Sequence, residues 1–420
     1  MEYKNNILYL VTYLFENHYM QPEKSSKMPW TMLGSAWLMS FAMWVPTFCI
    51  PPMEHIIKEE LLLTHAQTSL LFSVTWIMIA IVAIPAGLIA DRIGVRKAAG
   101  IGIIMVVVGT ILRSTATSYP SLLVFTFIYG FGIGWIFPNL PKLVSAWTPR
   151  DKAGMTMGIF VTGISTGIAL SLTITMSSIF PITGTFQGVF FFWSIPAIIA
   201  AIFWWALVRE PPRNNLHDEL ISSGKTLSLK VLRNKNLWLI ASFFLLNEFF
   251  FAAWTGWAPA LIMLKGATAE LAGFLASIVL WIGIPTVFLM PRLAYKLGLR
   301  KPFLWLPSII AAIFAWGAIY MDLSLMWLPM ALVGIAVNTR FPILLALPIE
   351  LIPEGEVGTA SGLILSIGCA GGIIGPLIGG RILDLTGSLD LSLLALTGIS
   401  IAMAVVAFML PETGTRNRVK

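Results

Sequence analysis

Twelve apolar runs divide this chain, and they limit its fold more than any other feature. The runs cover residues 30–52, 66–90, 98–117, 121–146, 153–179, 187–208, 237–264, 269–290, 302–320, 324–350, 358–383 and 388–410. A helix needs about 20 apolar residues to cross a bilayer, and it satisfies its own backbone hydrogen bonds there. The sequence therefore predicts an all-α integral membrane protein with twelve transmembrane helices.

The charge content supports a lipid-facing surface. Only 11% of the residues are charged, against about 25% in an ordinary soluble domain. The net charge of +7 lies in short breaks between the apolar runs, so it indicates membrane topology and no nucleic-acid partner. The two cysteines fall in apolar runs without metal-ligand spacing, and no enzyme constellation occurs. We expect no catalytic residues, no metal and no cofactor.

The longest polar interval, 209–236, separates two sets of six runs. It contains Pro211 and Pro212, which cannot continue a spanning helix. The predicted organisation is a 1–29 N-terminal segment, a 30–208 six-helix bundle, a 209–236 loop, a 237–410 six-helix bundle and a 411–420 tail. Within the first segment, the short apolar patch 7–15 favours an interfacial helix over a cleaved signal peptide.

The two halves carry an internal repeat. An ungapped shift of 204 residues places GLIADRIGVRK, at 87–97, on PRLAYKLGLRK, at 291–301. The same shift places 130–158 on 334–362, with Phe137-Pro138 falling on Phe341-Pro342. One constant offset in two separate blocks indicates a duplication. We therefore predict two pseudo-symmetric halves.

The positive charges predict the orientation. If both chain ends share the cytoplasmic side, 21 of the 27 Lys and Arg residues lie on that side and four at the outer ends of spans. This bias follows the positive-inside rule. We expect a multi-pass protein of the plasma (inner) membrane with both termini in the cytoplasm.

Twelve spans in two related sets, with GLIADRIGVRK between the second and third, resemble the major facilitator superfamily. The resemblance covers about residues 30–410 and implies the fold of that family and secondary transport. It also implies a cytoplasmic conformational latch at this loop. Its residues would be Gly87, Asp91, Arg92, Gly94, Arg96 and Lys97. Asp91 is expected to latch the halves in the outward-facing state, and the basic residues to hold neighbouring helix ends. The second copy has Tyr295 in place of the acid, so its latch is expected to be weaker or absent.

Within that superfamily, the chain departs from the drug–proton antiporters. It has no arginine in 121–135, and the pattern GGIIGPLIGG occurs only in the eleventh span. The stretch FPNLPKLVSAWTPRDKAGMTMGI is similar to the anion branches, such as cyanate and nitrate/nitrite carriers. The paired intramembrane arginines of nitrate carriers are missing, however.

Ionisable side chains inside a membrane are costly and usually functional, and three such residues stand out in the predicted spans. Glu248 is either a proton acceptor or substrate counter-charge, or a structural carboxylate. Arg340 either grips an anion or neutralises Glu248 or Glu350. Lys142 either contacts substrate or extends to the interface. The adjacent amides Asn247, Asn338 and Asn139 complete this set of polar candidates.

Four tryptophans lie in the first and seventh spans. They are Trp37, Trp44, Trp254 and Trp257. Beside one carboxylate they could enclose a cation, although interfacial anchoring and core packing are the more ordinary roles. Trp44 and Trp254 are the main substrate-binding candidates among them.

Together these features predict a monomeric secondary transporter whose partners are a small-molecule solute, the lipid bilayer and a coupling ion such as the proton. An organic or inorganic anion is the leading solute. A cationic or amphipathic solute, including an effluxed one, is the alternative. A non-transporting membrane sensor is the rival class.

Overall fold

The computed structural model describes residues 30–148, 153–210, 232–352 and 357–414. The predicted N-terminal segment 1–29 lies outside these residues, with its expected interfacial helix. Most of the 209–236 loop and the end of the 411–420 tail also lie outside them.

The described chain is almost entirely helical, and twelve of its helical segments are long and apolar enough to cross a membrane. Numbered as spans 1 to 12, they are Trp30–Leu61, His65–Ile93, Val95–Arg113, Tyr119–Trp147, Met155–Thr183, Phe186–Leu207, Lys235–Leu264, Ala269–Leu297, Pro302–Tyr320, Leu323–Pro348, Ala360–Thr386 and Asp390–Met409. The prediction of twelve spans is confirmed. Span 1 extends past its apolar run. Its main helix, Trp30–Phe48, is followed by a short 3₁₀ turn at Pro51–Met53 and then by the polar helix Glu54–Leu61.

Breaks in the spans coincide with some of the prolines. Span 4 consists of two helices, Tyr119–Ile136 and Asn139–Trp147, which meet at Pro138. Proline lacks the N–H that would continue the helical hydrogen bonds, and its ring crowds the preceding turn. Three other prolines, Pro46, Pro259 and Pro342, lie inside helices.

The two sets of six spans pack in the same pattern. Span 1 packs on span 5, span 2 on span 4, and span 3 on spans 4 and 6. Six spans later, span 7 packs on span 11, span 8 on span 10, and span 9 on spans 10 and 12. Spans 1–6 and spans 7–12 are therefore two pseudo-symmetric halves, here called the first half and the second half.

Glycines permit the closest helix contacts within each half. A Cβ on Gly167 would collide with the carbonyl oxygen of Phe41 in span 1, and one on Gly371 would collide with the carbonyl oxygen of Leu245 in span 7. Small residues let backbones approach in this way in membrane proteins. These two glycines therefore bring spans 5 and 11 close to spans 1 and 7 of their own halves. Gly158 differs, because it faces Phe288 of the other half.

The halves meet along two seams, one between spans 2 and 11 and the other between spans 5 and 8. We call the face on which span 1 begins and span 12 ends the terminal face, and the opposite one the far face. At the first seam, Asp384 accepts hydrogen bonds from the backbone of His65 and Ala66, and Ser73 Oγ donates to the carbonyl of Ile373. Asp384, His65 and Ala66 lie at the far-face ends of their spans, and Ser73 and Ile373 lie nearer the middle. The seam is thus closed toward the far face.

Candidate functional site

A cavity lies between the halves and contains about 820 Å³ of space not filled by protein atoms. Spans 1, 2, 4 and 5 line it from the first half, and spans 7, 8, 10 and 11 from the second. Seven of its lining residues are aromatic: Trp44, Phe48, Trp76, Phe137, Phe244, Phe251 and Phe341.

Glu248 is the one acidic residue among the described residues that line the cavity. It lies near the middle of span 7 and is only 5% exposed. Asn247 Nδ2 donates a hydrogen bond to Glu248 Oε1 at 3.2 Å. The cavity therefore presents a carboxyl group in an apolar, aromatic surround, where proton exchange and cation binding are both chemically feasible.

Arg340 does not line the cavity, although it follows Asn338, which does. Its side chain is fully buried. Nη1 donates to Ser308 Oγ at 3.2 Å, and the guanidinium carbon lies 5.7 Å from the centre of the Phe250 ring. These contacts hold the guanidinium behind the cavity lining, and no ion pair joins it to Glu248 within the described part of the chain. Of the roles expected from the sequence, this geometry disfavours direct contact of Arg340 with a solute.

The alternative partner suggested for Arg340, Glu350, is engaged elsewhere. Glu350 Oε1 lies 3.1 Å from Arg300 Nη2, and its other oxygen accepts from the hydroxyl of Thr413. Arg340 and Glu350 are thus not brought together.

The three candidate asparagines divide between cavity and packing. Asn247 and Asn338 line the cavity, whereas Asn139 is completely buried outside its lining. Asn139 Nδ2 donates to the carbonyls of Trp135 and Ala86, at 2.9 and 3.4 Å, and so ties span 4 to span 2. Asn338 makes the related tie from span 10 to the carbonyl of Val279 in span 8, at 3.2 Å.

Only one of the four predicted tryptophans lines the cavity, namely Trp44. Trp254 lines a separate crevice between spans 7, 11 and 12, with its ring stacked on Phe250 at 5.8 Å. The indoles of Trp37 and Trp257 donate to Thr162 and to the carbonyl of Pro376, respectively. The four rings do not form a cage around Glu248, because they point to different neighbours around their helices.

Lys142 is placed at the loop between spans 2 and 3. Its Nζ lies 3.2 Å from Asp91 Oδ1 and 3.5 Å from the carbonyl oxygen of Gly87. Lys142 is absent from the lining of the cavity. The structure therefore joins it to the latch residues and not to the polar residues of the cavity.

The remaining latch residues secure the start of span 3. Gly94 has φ +97°, a conformation that suits glycine, and it lets the chain turn between spans 2 and 3. Arg96 donates from Nη2 to the carbonyl of Trp205 at the end of span 6, at 2.8 Å. The side chains of Arg92 and Lys97 are exposed.

The second copy of the loop has an ion pair of reversed polarity. In the first half the loop supplies the acid, Asp91, and span 4 the base, Lys142. In the second half the loop supplies the base, Arg300, and the end of span 10 the acid, Glu350. Tyr295, which replaces the acid, is 71% exposed.

Sequence reasoning missed two carboxylates that cap related helices. Glu210 Oε1 accepts from the backbone of Val95 at 2.6 Å, and Glu412 Oε1 accepts from the backbone of Arg300 at 2.6 Å. A carboxylate at a helix N-terminus satisfies free N–H groups and opposes the helix dipole. The sequence does contain a signal for these caps, because Glu210 and Glu412 occupy matching positions just after the last span of their half.

Arg113, the last residue of span 3, is one of the four basic residues expected at the outer ends of spans, and the structure places it there. It is nevertheless completely buried. Its Nη1 donates to the carbonyl of Pro46 at 2.6 Å, and its guanidinium carbon lies 4.1 Å from the centre of the Tyr129 ring and 4.7 Å from that of Phe190.

Known proteins match this chain along most of its length. The sequence model described as Major Facilitator Superfamily matches residues 35–376 and, in a second match, 265–420. "Uncharacterized transporter YycB" of Bacillus subtilis (strain 168) is 23% identical over 361 residues, which cover 84% of this chain and 87% of that protein. "Cyanate transport protein CynX" of Escherichia coli (strain K12) is 22% identical over 303 residues, 72% of this chain and 76% of that protein.

Among solved structures, a bacterial homolog of the human lysosomal transporter Spinster, in an inward-facing and unoccupied conformation, has a TM-score of 0.76. The alignment covers 91% of this chain and 97% of that one at 15% identity. At this identity the likeness concerns the fold.

Proposed function

Because this chain belongs to the Major Facilitator Superfamily, we propose that it moves a small solute through the cavity between its halves by alternating access. It is a multi-pass membrane transporter and not an enzyme. The cavity itself is the observation that carries the proposal, because four spans from each half line it. Sites at the interface of two repeats are the general arrangement in secondary transporters, since rocking the halves exposes the site to either side.

We propose that the solute has an apolar body and is neutral or cationic. Seven aromatic residues and one carboxylic acid, Glu248, line the cavity, and no basic residue does so among the described ones. An anion would have to approach Glu248 with Arg340 held behind the lining. This geometry supports the alternative solute class of the sequence analysis over the leading one.

Glu248 is also the proposed coupling acid. It can bind a proton when the cavity faces one side and release it when the cavity faces the other. Proton movement would then accompany solute movement.

An anion remains the second candidate, for a specific reason. Nε and Nη2 of Arg340 have no hydrogen-bond acceptor within the described part of the chain. A guanidinium with free donors can bind a carboxylate in a bidentate manner. Rotation of the Arg340 side chain toward the cavity would create such a site, as would suit a carrier like the cyanate relative.

The latch and the orientation complete the proposal. We assign the terminal face to the cytoplasm of a plasma or inner membrane, with both termini there, and we expect a monomer. In the conformation described, Asp91 pairs within its own half while the halves are joined at the far face. A latch between the halves at Asp91 would form when the terminal face closes.

Transport by purified protein in liposomes tests the proposal, with labelled benzylamine and labelled benzoate as solutes, each with and without a pH gradient. We expect pH-driven uptake of the amine. Glu248→Gln should abolish the pH-driven part but keep exchange of labelled for unlabelled solute. Glu59→Gln, which changes an exposed acid outside the cavity, is the matched control.

Three results would contradict the proposal. Unchanged pH-driven uptake by Glu248→Gln would remove Glu248 as the coupling acid. Accumulation of benzoate without benzylamine would favour the anion candidate. Failure to move any solute in either assay would count against transport through this cavity.

A further inference from the structure

The cavity has an aromatic wall in each half. In the first half, Trp44 and Trp76 lie with ring centres 5.5 Å apart and planes tilted by 43°, and Phe137 meets Trp44 edge-on at 6.2 Å. In the second half, Phe244 and Phe251 line the facing surface. Flat rings gain from stacked and edge-to-face contacts beyond the area that they bury. A flat solute would therefore meet aromatic partners on both sides.

The first-half wall also has hydrogen-bond donors without acceptors. The indole nitrogens of Trp44 and Trp76 are buried, and neither finds an acceptor within the described ranges. A buried donor that stays unpaired loses the hydrogen bond that it would make with water, at a cost in free energy. A solute with an acceptor atom at its edge would satisfy one of these N–H groups or both.

The second-half wall has the complementary chemistry. Asn247 Oδ1 is buried without a donor from the described residues, and the carboxyl group of Glu248 accepts one hydrogen bond, from Asn247 Nδ2. These oxygens can accept hydrogen bonds from an N–H group of a solute. The residues of the first-half wall thus carry buried donors without acceptors, and those of the second-half wall carry acceptors.

We propose that the solute is a planar heteroaromatic molecule with a ring acceptor, such as a pyridine-type nitrogen or a carbonyl, at one edge and an N–H donor at another. The acceptor faces Trp44 and Trp76, and the donor faces Glu248 and Asn247. This inference names the substrate class for the transport proposed above and rests on it. It assigns Trp76, which the sequence analysis did not single out, as a specificity-determining residue.

Ligand binding to the full-length protein in detergent, measured by thermal shift titration, tests the inference without requiring transport. The probes are benzimidazole, which has the ring acceptor and the N–H donor, benzylamine, which has an aromatic ring and a cation but no ring acceptor, and benzoate, an anion of similar size. Benzimidazole should bind most tightly. Binding that is no tighter than that of the other two probes, or no binding at all, would overturn the proposal.

Two variants keep the aromatic ring and remove the donor. Trp44→Phe and Trp76→Phe should each weaken benzimidazole binding about fivefold, the factor that corresponds to one net hydrogen bond, and leave benzylamine binding unchanged. Trp135→Phe is the matched control, because its indole nitrogen is also buried without a described partner but lies outside the cavity lining. Equal effects of all three variants on benzimidazole would contradict the assignment.

The binding assay and the transport assay test the two proposals independently. If benzimidazole binds as expected but liposomes move no solute, the substrate class stands and the transport proposal fails. If liposomes accumulate benzylamine but benzimidazole binds no better than benzoate, transport stands and the heteroaromatic class fails.

Discussion

Asp384, near the end of span 11, accepts a hydrogen bond from the backbone N–H of His65, the first residue of span 2, at 2.8 Å. Its second oxygen accepts from the next backbone N–H at 2.9 Å. One carboxylate of the second half thereby caps a helix of the first half. Free N–H groups and the positive end of the helix dipole both favour a carboxylate there. This is the best-defined polar contact that holds the far face closed.

Asp384→Asn should therefore open the far face more often. The change removes the charge and one of two accepting oxygens, and hydrogen bonds to a charged group contribute about 1.5–3 kcal/mol each. A loss of that size shifts a two-state equilibrium by roughly 10- to 100-fold. Cys369 lines the cavity and can report this change in a Cys49→Ser background. An impermeant maleimide applied from the terminal face should alkylate Cys369 more slowly in the Asp384→Asn variant. Asp390→Asn, an exposed acid on the far face, should not change the rate.

Arg340→Met tests whether this arginine contacts the solute. Its guanidinium is fully buried, with Ser308 as its described hydrogen-bond partner, and Arg340 does not line the cavity. We expect benzimidazole affinity to stay within about twofold, well below the effect of losing one net hydrogen bond. Titration of both proteins by thermal shift measures this. Benzoate binding that is present in the native protein and lost in the variant would instead support the anion candidate.

The two copies of the loop should respond differently to substitution. Asp91→Asn removes a partly exposed ion pair with Lys142, worth about 0.2–1 kcal/mol, so the transport rate should change about 1.5- to fivefold. Tyr295→Phe removes only the hydroxyl of an exposed side chain and should have no effect. Rates of solute exchange in liposomes compare the two. Equal effects would argue against a latch in the first copy alone.

Span 11 offers a matched pair of glycines for a stability test. Gly371→Ala would drive a Cβ into the backbone of Leu245 and Phe249, so it should destabilise the protein by about 1–3 kcal/mol. Gly362→Ala meets nothing within 4 Å and should be neutral, or stabilising by up to about 1 kcal/mol through helix propensity. Thermal unfolding of both variants in detergent should separate them. Similar unfolding temperatures would mean that span 11 can move away from span 7.

Much of the site was visible in the sequence because of its chemistry. Glu248, Asn247 and Asn338 stood out as polar residues inside apolar runs, and the structure places all three in one cavity. Trp76 was not distinguished, since one tryptophan in an apolar run looks the same whether it faces lipid, core or cavity. Arg340 was correctly found as an intramembrane charge, but which way its long side chain points depends on neighbours from other spans.

The sequence by itself determined the class of the protein, the number of spans and the internal duplication. These depend on the length and hydropathy of each run and on its spacing from its copy, which are local properties of the chain. The tertiary structure decided which polar residues meet. In the structure, Lys142 pairs with Asp91, Arg340 lies behind the cavity lining, and Asp384 accepts hydrogen bonds from the start of span 2. These relationships depend on how helices rotate and pack against one another, and hydropathy alone does not specify that rotation.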